Sequence, residues 1–213
     1  MPLIHKIIDD KDIELAIWRT VEPKDYFHKK IEIHPTERSI IDHLSERKKL
    51  EWYSSRFLLH LMSGRSQRGE FTKDIHGKPH LMDSDYHISI SHSDDLVAVV
   101  ASKLLVGIDI QFYVSKIHRI RHKFVNPEEL VQIPEERTLE ALHVIWGAKE
   151  SLYKAYGKRA LDFRKHIQIF DLKINSNSGE FHGKVIKEDY KKDFLIRYYL
   201  FKKYVLVYAK ECS

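Results

Sequence analysis

Apolar and polar residues alternate along Val106-Gly107-Ile108-Asp109-Ile110-Gln111, a pattern that predicts a strand with Gly107, Asp109 and Gln111 on one face. Further on, Leu139, Leu142, Trp146, Lys149, Tyr153 and Tyr156 recur at helical spacing, with Thr138 as the expected N-cap and Gly157 as the stop. A second helical stretch, about residues 37–62, opens at Pro35-Thr36 and closes at Gly64. Residues 87–91 and 96–102 read as strands around a turn at Ser93-Asp94-Asp95. The region around Asn126-Pro127-Glu128-Glu129 reads as polar and partly helical. The final third reads as four strands, near residues 167–174, 180–186, 194–200 and 204–208, with a turn at 175–179.

Each half of the chain therefore offers a long helix followed by antiparallel strands. That order predicts an α+β fold, sandwich-like, in two halves of similar plan, residues 1–104 and 105–213. No low-complexity stretch, linker or sequence repeat divides them.

Composition narrows the class. A chain of 213 residues with 43% hydrophobic and 31% charged content has the makeup of a soluble globular protein of one large or two small domains. No apolar run approaches the ~20 residues of a membrane span. Charge interrupts residues 1–10 too early for a signal peptide, and the single Cys212 has no partner for an internal disulfide. A cytoplasmic location follows as the expectation. The net charge of +5 suits an anionic small molecule, an acidic protein or nucleic acid. The cations read as scattered, densest at Arg47-Lys48-Lys49 and Lys191-Lys192, and no nucleic-acid motif accompanies them, so nucleic acid is not expected as a partner.

The chemistry lies in the strand and helix first described. Asp109 sits among β-branched residues, where Asp is disfavoured, and Gly107 on the same face would leave that face open to a ligand. Glu150 and Lys154 share a helix face. The simpler alternatives are an edge strand with a solvated Asp and a surface Glu–Lys pair worth only ~0.3–0.5 kcal/mol. Trp146 and Tyr153 flank Glu150, however, and a partly desolvated acid between aromatics needs a cation. Two acids and a lysine in this arrangement suit Mg²⁺-assisted transfer of a phosphate-bearing group. A coenzyme-A-dependent N-acetyltransferase would instead use a glycine-rich phosphate loop, which this chain lacks. A non-catalytic basic protein that binds carrier domains or nucleic acid is the remaining alternative.

Four segments in order carry a resemblance: Gly77-Lys78-Pro79, Ile88-Ser89-Ile90-Ser91-His92-Ser93, Val106-Gly107-Ile108-Asp109, and Trp146-Gly147-Ala148-Lys149-Glu150-Ser151-Leu152-Tyr153-Lys154. Together they resemble the surfactin-type 4'-phosphopantetheinyl transferases, over roughly residues 47–157. The resemblance implies two pseudo-symmetric halves with the active site in the cleft between them, the first half holding the coenzyme A nucleotide and the second the metal and catalytic helix. It implies transfer of the phosphopantetheine arm of coenzyme A to a serine of an acidic acyl or peptidyl carrier protein, with Mg²⁺ as cofactor and 3',5'-ADP as the other product. By position, Asp109 and Glu150 match the metal-binding acids, with Gln111 where many members have a Glu. Glu150 would also take the serine proton, and Lys154 would stabilise the leaving group. Ser91, His92 and Arg56 match groups near the 3'-phosphate, while Lys73 and Lys78 match basic residues near the nucleotide. A single chain with both halves is expected to be a monomer. Gly147 stands where many members have Ser or another small residue.

Overall fold

The computed structural model describes residues 3–8, 13–175 and 177–212, the first of these segments by its backbone alone. Ser176, within the turn read at 175–179, lies outside the described residues. The chain is mixed helix and sheet and divides into two compact units, Met1–Lys103 and Leu104–Ser213. Among the described residues no helix is long and apolar enough to cross a membrane.

The first unit holds a four-stranded antiparallel sheet. Strands β1 (Leu3–Ile8) and β2 (Ile13–Arg19) come first, then α1 (Lys24–His28), α2 (Pro35–Asp42) and α3 (Glu46–Ser63). A short ladder of β3 (Phe71–Lys73) and β4 (Pro79–Leu81) precedes β5 (His87–Ser93) and β6 (Leu96–Ser102). The sheet order is β1-β2-β6-β5, so β2 pairs antiparallel with β6 from Ile13↔Ser102 to Arg19↔Leu96. Trp18, Phe27, Trp52, Leu58, Ile88, Val97 and Val99 pack into one core between this sheet and α3.

Two sequence expectations change here. The helix read over residues 37–62 is two helices, because Ser45 adopts an extended backbone and its hydroxyl accepts a hydrogen bond from the Lys48 amide at 3.4 Å. An N-cap at Ser45 starts a new helix, whereas the continuous apolar spacing alone suggests an unbroken one. The closing Gly64 stands as read, in the left-handed conformation at φ 61°. The second change is that two strands precede the helices, so the order in this unit is strands, helices, strands.

In the second unit, β7 (Val106–Phe112) is followed by α4 (Ile117–Ile120), α5 (Pro127–Leu130) and α6 (Thr138–Tyr156). Strands β8 (Ile167–Phe170), β9 (Ser178–Lys187), β10 (Tyr190–Leu200) and β11 (Tyr204–Glu211) complete an antiparallel sheet of order β7-β11-β10-β9-β8. Helix α6 buries Leu142, Val144, Ile145, Ala148 and Leu152 against Val205, Val207, Ala209 and the inner face of the sheet. Each fully buried aliphatic side chain there contributes ~1.5–3 kcal/mol. Thr138 is the first residue inside α6 and not its N-cap. Its hydroxyl donates backward to the carbonyls of Pro134 and Glu135.

Glycine sets how deeply α6 sits. A Cβ on Gly107 would lie 1.9 Å from the Ser151 carbonyl oxygen, and one on Gly147 would lie 2.7 Å from Val207 Cγ2. Gly107 therefore does not leave its face open to a ligand; the helix backbone fills that space. Gly147, which costs roughly 1 kcal/mol in helix propensity, gains close approach of α6 to β11. Ser151 fixes the contact by donating from Oγ to the Val207 carbonyl at 3.0 Å.

Inside this core lies an ion pair. Lys149 is completely buried, and its Nζ reaches Glu129 Oε2 at 2.7 Å and donates to the carbonyls of Phe163 at 2.7 Å and Ile167 at 3.1 Å. Glu129 is also the N3 residue of a capping box: its Oε2 accepts from the Asn126 amide, and Asn126 Oδ1 accepts from the Glu129 amide. Burial pushes the Lys149 pKa down and that of Glu129 up, each opposed by attraction to the other. Removing one partner leaves an uncompensated buried charge, so Lys149→Met should destabilise the protein by ~3–5 kcal/mol. Adding Glu129→Leu to that variant should restore most of the loss, measured by urea unfolding. A double variant no more stable than the single one would show that the pair is not the source.

Candidate functional site

The second unit brings Asp109, Gln111, Glu150 and Lys154 together. Asp109 lies on β7 facing α6 and is 8% exposed. Lys154 Nζ reaches Asp109 Oδ1 at 2.9 Å and donates to the Ile108 carbonyl at 2.8 Å, so the lysine spans both the carboxylate and the strand backbone. Gln111 Nε2 donates to Asp109 Oδ2 and to the His143 carbonyl, both at 3.2 Å. With two acceptors fixing the nitrogen, Gln111 as placed holds the Asp109 carboxylate and presents no oxygen to it.

Glu150 is largely buried, and its pKa is raised, first by burial and next by the nearby Asp109 charge, with Lys154 opposing. Asp109 and Glu150 thus act on each other as like charges, one from the strand and one from the helix. Trp146 and Tyr153 do flank Glu150 along α6, and the Phe163 ring packs against both at 5.8 Å, while Phe124 meets Trp146 edge-on at 5.0 Å.

These donors fit a hard divalent cation. The paired carboxylates offer only oxygen, and Mg²⁺ is usually held by one or two carboxylates with the remaining positions left to substrate phosphates and water. Among the described residues no group of three or more His, Cys, Asp and Glu side chains gathers as a self-sufficient metal cage. The two acids would therefore depend on a substrate to complete the coordination.

Sequence reasoning missed His143. It is fully buried, its Nδ1 donates to the Leu139 carbonyl at 2.8 Å, and its Nε2 accepts from the Val114 amide at 3.1 Å. Burial lowers its pKa, which keeps the ring neutral and able to accept. His143 ties the chain just beyond β7 to α6, and its carbonyl positions Gln111. A histidine at a core position of the helix was the available signal. Lys149 and Glu129 were likewise passed over, although Asn126-Pro127-Glu128-Glu129 carries the spacing of a capping box.

The first unit holds the other predicted residues. His92 Nε2 lies 3.2 Å from the Glu51 carbonyl on α3, and Ser55 Oγ donates to that same carbonyl at 2.8 Å. Arg56 Nη1 in turn donates to Ser55 Oγ at 3.1 Å, so a hydrogen-bond chain joins His92 to Arg56. Arg56 is 7% exposed, and its guanidinium stacks at 4.5 Å from Trp52 and 4.9 Å from Phe71. Burial lowers its pKa to about 10, with Glu37 opposing and Arg68 adding to the shift. Glu37 is engaged by Arg68 in a buried ion pair, and Arg56 Nε has no hydrogen-bond partner among the described residues. Two guanidinium groups per carboxylate leave this cluster positively charged. Ser91 is buried on β5, opposite Ala98.

Lys73 and Lys78 stand on either side of the β3–β4 turn. Asp74 Oδ1 accepts from the His76 and Lys78 amides at 2.9 and 3.0 Å, and His80 Nε2 reaches Asp74 Oδ2 at 3.1 Å. Burial acts to raise the Asp74 pKa, but the His80 and backbone hydrogen bonds prevail and hold it at about 2. The turn is thereby rigid. Lys78 is half-buried and its pKa is lowered by burial, whereas Lys73 is exposed.

Residues 105–209, the stretch that carries Asp109 and helix α6, match the 4'-phosphopantetheinyl transferase superfamily. Over that stretch, just under half of its length, the chain is similar to the superfamily. It is also similar to a 4'-phosphopantetheinyl transferase, gsp, from Aneurinibacillus migulanus, at 29% identity over 141 residues. That alignment covers 64% of this chain and 55% of the relative, so the chain matches about half of that protein's length.

The Glu150 environment makes a pH prediction. Below the ordinary carboxylate pKa, Glu150 is protonated in both folded and unfolded chains. Between that value and the raised folded pKa, only the folded protein keeps the proton, so stability falls as pH rises through the window. Without divalent metal, Glu150→Gln should therefore be more stable than wild type at neutral pH, and the gap should close as pH falls through the carboxylate range. Mg²⁺ should raise the unfolding midpoint of wild type and not that of the variant. Equal metal stabilisation of both proteins would remove Glu150 from the metal site.

Proposed function

We propose that the chain transfers the 4'-phosphopantetheine arm of coenzyme A to a serine of an acyl or peptidyl carrier protein and releases 3',5'-ADP. The observation that carries this reading is the grouping of Asp109, Glu150 and Lys154 within the stretch that matches the superfamily. The serine oxygen attacks the phosphorus that bears the pantetheine arm, and the bond to the departing nucleotide phosphate breaks. Bound at Asp109 and Glu150, Mg²⁺ would polarise the phosphorus and neutralise charge on the pyrophosphate. Glu150 takes the serine proton directly or through a water. Lys154 is held by Asp109 and the Ile108 carbonyl, where its ammonium can meet the charge that develops on the leaving phosphate.

Nucleotide recognition falls to the first unit in this proposal. His92 and Lys78 offer donors for phosphate, and the positive Arg56–Arg68 cluster supports the anion's field. That both residue sets act on one coenzyme A molecule is part of the proposal and rests on the family resemblance.

The direct test is the mass of an apo-carrier protein after incubation with coenzyme A and Mg²⁺. A gain of one phosphopantetheine is expected. Asp109→Ala and Glu150→Ala should each reduce the rate by about a hundredfold or more, the scale of losing one preorganised charge contact in phosphoryl chemistry. Near-normal rates in either variant would sink the assignment. Gln111→Glu should reach half-maximal rate at lower Mg²⁺ and yet unfold more easily without metal, since a carboxylate would then face Asp109 and the His143 carbonyl.

A second test separates binding from scaffolding in the first unit. A charge-assisted hydrogen bond contributes ~1.5–3 kcal/mol, so His92→Ala should raise the KM for coenzyme A about tenfold or more. The KM for 3'-dephospho-coenzyme A should barely change. Arg56→Ala should show the same discrimination loss together with lower stability, because it also empties the space between Trp52 and Phe71. Equal KM increases for both nucleotides in His92→Ala would place that residue's role elsewhere.

A further inference from the structure

At the end of α3 the first unit holds a cavity of about 150 Å³. Leu59 and Met62 line it from α3, Phe71 and Leu81 from the β3–β4 ladder, and Ala101 from β6. Leu59, Met62 and Phe71 are buried, so these walls belong to the packed core. Ala101 brings only a methyl group to its wall, where a larger side chain would take up the space. None of Arg56, Lys73, Lys78, Ser91 and His92, the residues read for coenzyme A, lines the cavity.

The polar groups enter from different walls. The sheet contributes Glu14 on β2, paired opposite Ala101, and the end of α3 contributes His60, Ser63 and Arg65. Ser63 Oγ donates to the His60 carbonyl at 2.7 Å and accepts from the Arg65 amide at 3.3 Å, which fixes the turn that carries Arg65. Arg68, the other guanidinium in the wall, is engaged by Glu37. His60 and Arg65 also line a second space, an open groove shared with Lys30, Phe57 and Leu61. That groove carries two cations and no acid. Among the described residues neither Arg65 nor Lys30 forms an ion pair, and Lys30 lies 4.9 Å over the Tyr26 ring. His60 Nδ1 is shut off from water and has no hydrogen-bond partner among the described residues. Rotation of the ring about its Cβ–Cγ bond would offer that nitrogen to a ligand in either space.

We propose that cavity and groove together bind a short- to medium-chain monocarboxylate, its apolar chain in the cavity and its carboxylate at Arg65 and Lys30. This does not depend on the transferase reading. Apolar walls call for hydrocarbon, and a space of this volume takes up a molecule of about benzene size. The head group is an anion because the charges in the groove are unanswered cations, and a cationic head would meet them with like charge. Glu14 sets the direction of entry. Its carboxylate repels an anion from the cavity itself, so the chain goes in first and the head stays at the helix end.

The three methionines make the site readable by NMR. Met62 lines the cavity, whereas Met82 is exposed and lines neither space. The full chain, labelled at its methionine methyl groups, is titrated with straight-chain carboxylates. The Met62 signal should shift saturably and the Met82 signal should not. Affinity should rise about threefold to fourfold per methylene from butanoate to octanoate, then level off once the cavity is full. Arg65→Glu should weaken octanoate binding about tenfold and leave 1-octanol within about twofold. Ala101→Leu should abolish binding of both. Arg65 is exposed, so its variant decides the matter even where Ala101→Leu fails to fold. The proposal is overturned if Met62 does not respond, or if affinity keeps climbing through dodecanoate, as on a surface without a fixed cavity. It also falls if Arg65→Glu binds octanoate like wild type or loses 1-octanol equally. Displacement of octanoate by saturating coenzyme A would overturn it too, by making the cavity part of the nucleotide site.

Discussion

The second unit is organised around a lysine ammonium that has no access to water. Lys149 could not be buried alone, and the three donors of its Nζ are met by Glu129 and two backbone carbonyls. Those acceptors belong to three separate stretches of chain: α5, the turn after α6, and the start of β8. Satisfying one charge therefore fixes three loops against one helix. Glu150, the next residue along α6, inherits its position from that arrangement. Replacing such a pair with apolar residues is often neutral for stability, but no apolar side chain could hold Glu129 and the Phe163 and Ile167 carbonyls at one point.

The strand and helix that carry the acids were legible because their patterns are long and regular. Alternation and helical spacing placed Asp109 on a strand and Glu150 on a helix, and the resemblance joined them in one site. What escaped was fixed by single side chains acting locally. Ser45 breaks a helix that hydrophobic periodicity runs straight through, and the backward bonds of Thr138 move the start of α6 by one residue. The meaning of Gly107 was inverted for a different reason: a missing side chain admits either a ligand or another backbone, and sequence does not distinguish them. Only the position of Ser151 shows which one fills the gap. Strands β1 and β2 left little signal, and the ladder that ties them into the sheet, β2 on β6, spans some eighty residues.

Charge followed the same logic. A run such as Arg47-Lys48-Lys49 looks basic in one dimension, yet α3 supplies Glu46 and Glu51 at spacings that offset part of it. Residues 116–123 keep their charge because no acid stands three or four residues away, and near residues 158–165 the carboxylate of Asp162 is taken up by the Arg164 and Lys165 amides.

The sheet order of the second unit also constrains when the site can exist. Strand β7, which carries Asp109, stands at one end of that sheet, and its partner there is β11, the last strand of the chain. Asp109 faces Val207 across this ladder, nearly a hundred residues later in sequence. Helix α6 emerges from a ribosome long before that ladder can close, and so does β7. Until residues 204–211 arrive, Lys154 has a carboxylate to attract but no fixed strand to meet it on. Contacts of such long separation form late, so a nascent chain holds its acidic and basic groups near one another without yet holding a site. Local helical structure comes early, and chemical competence waits for the final strand.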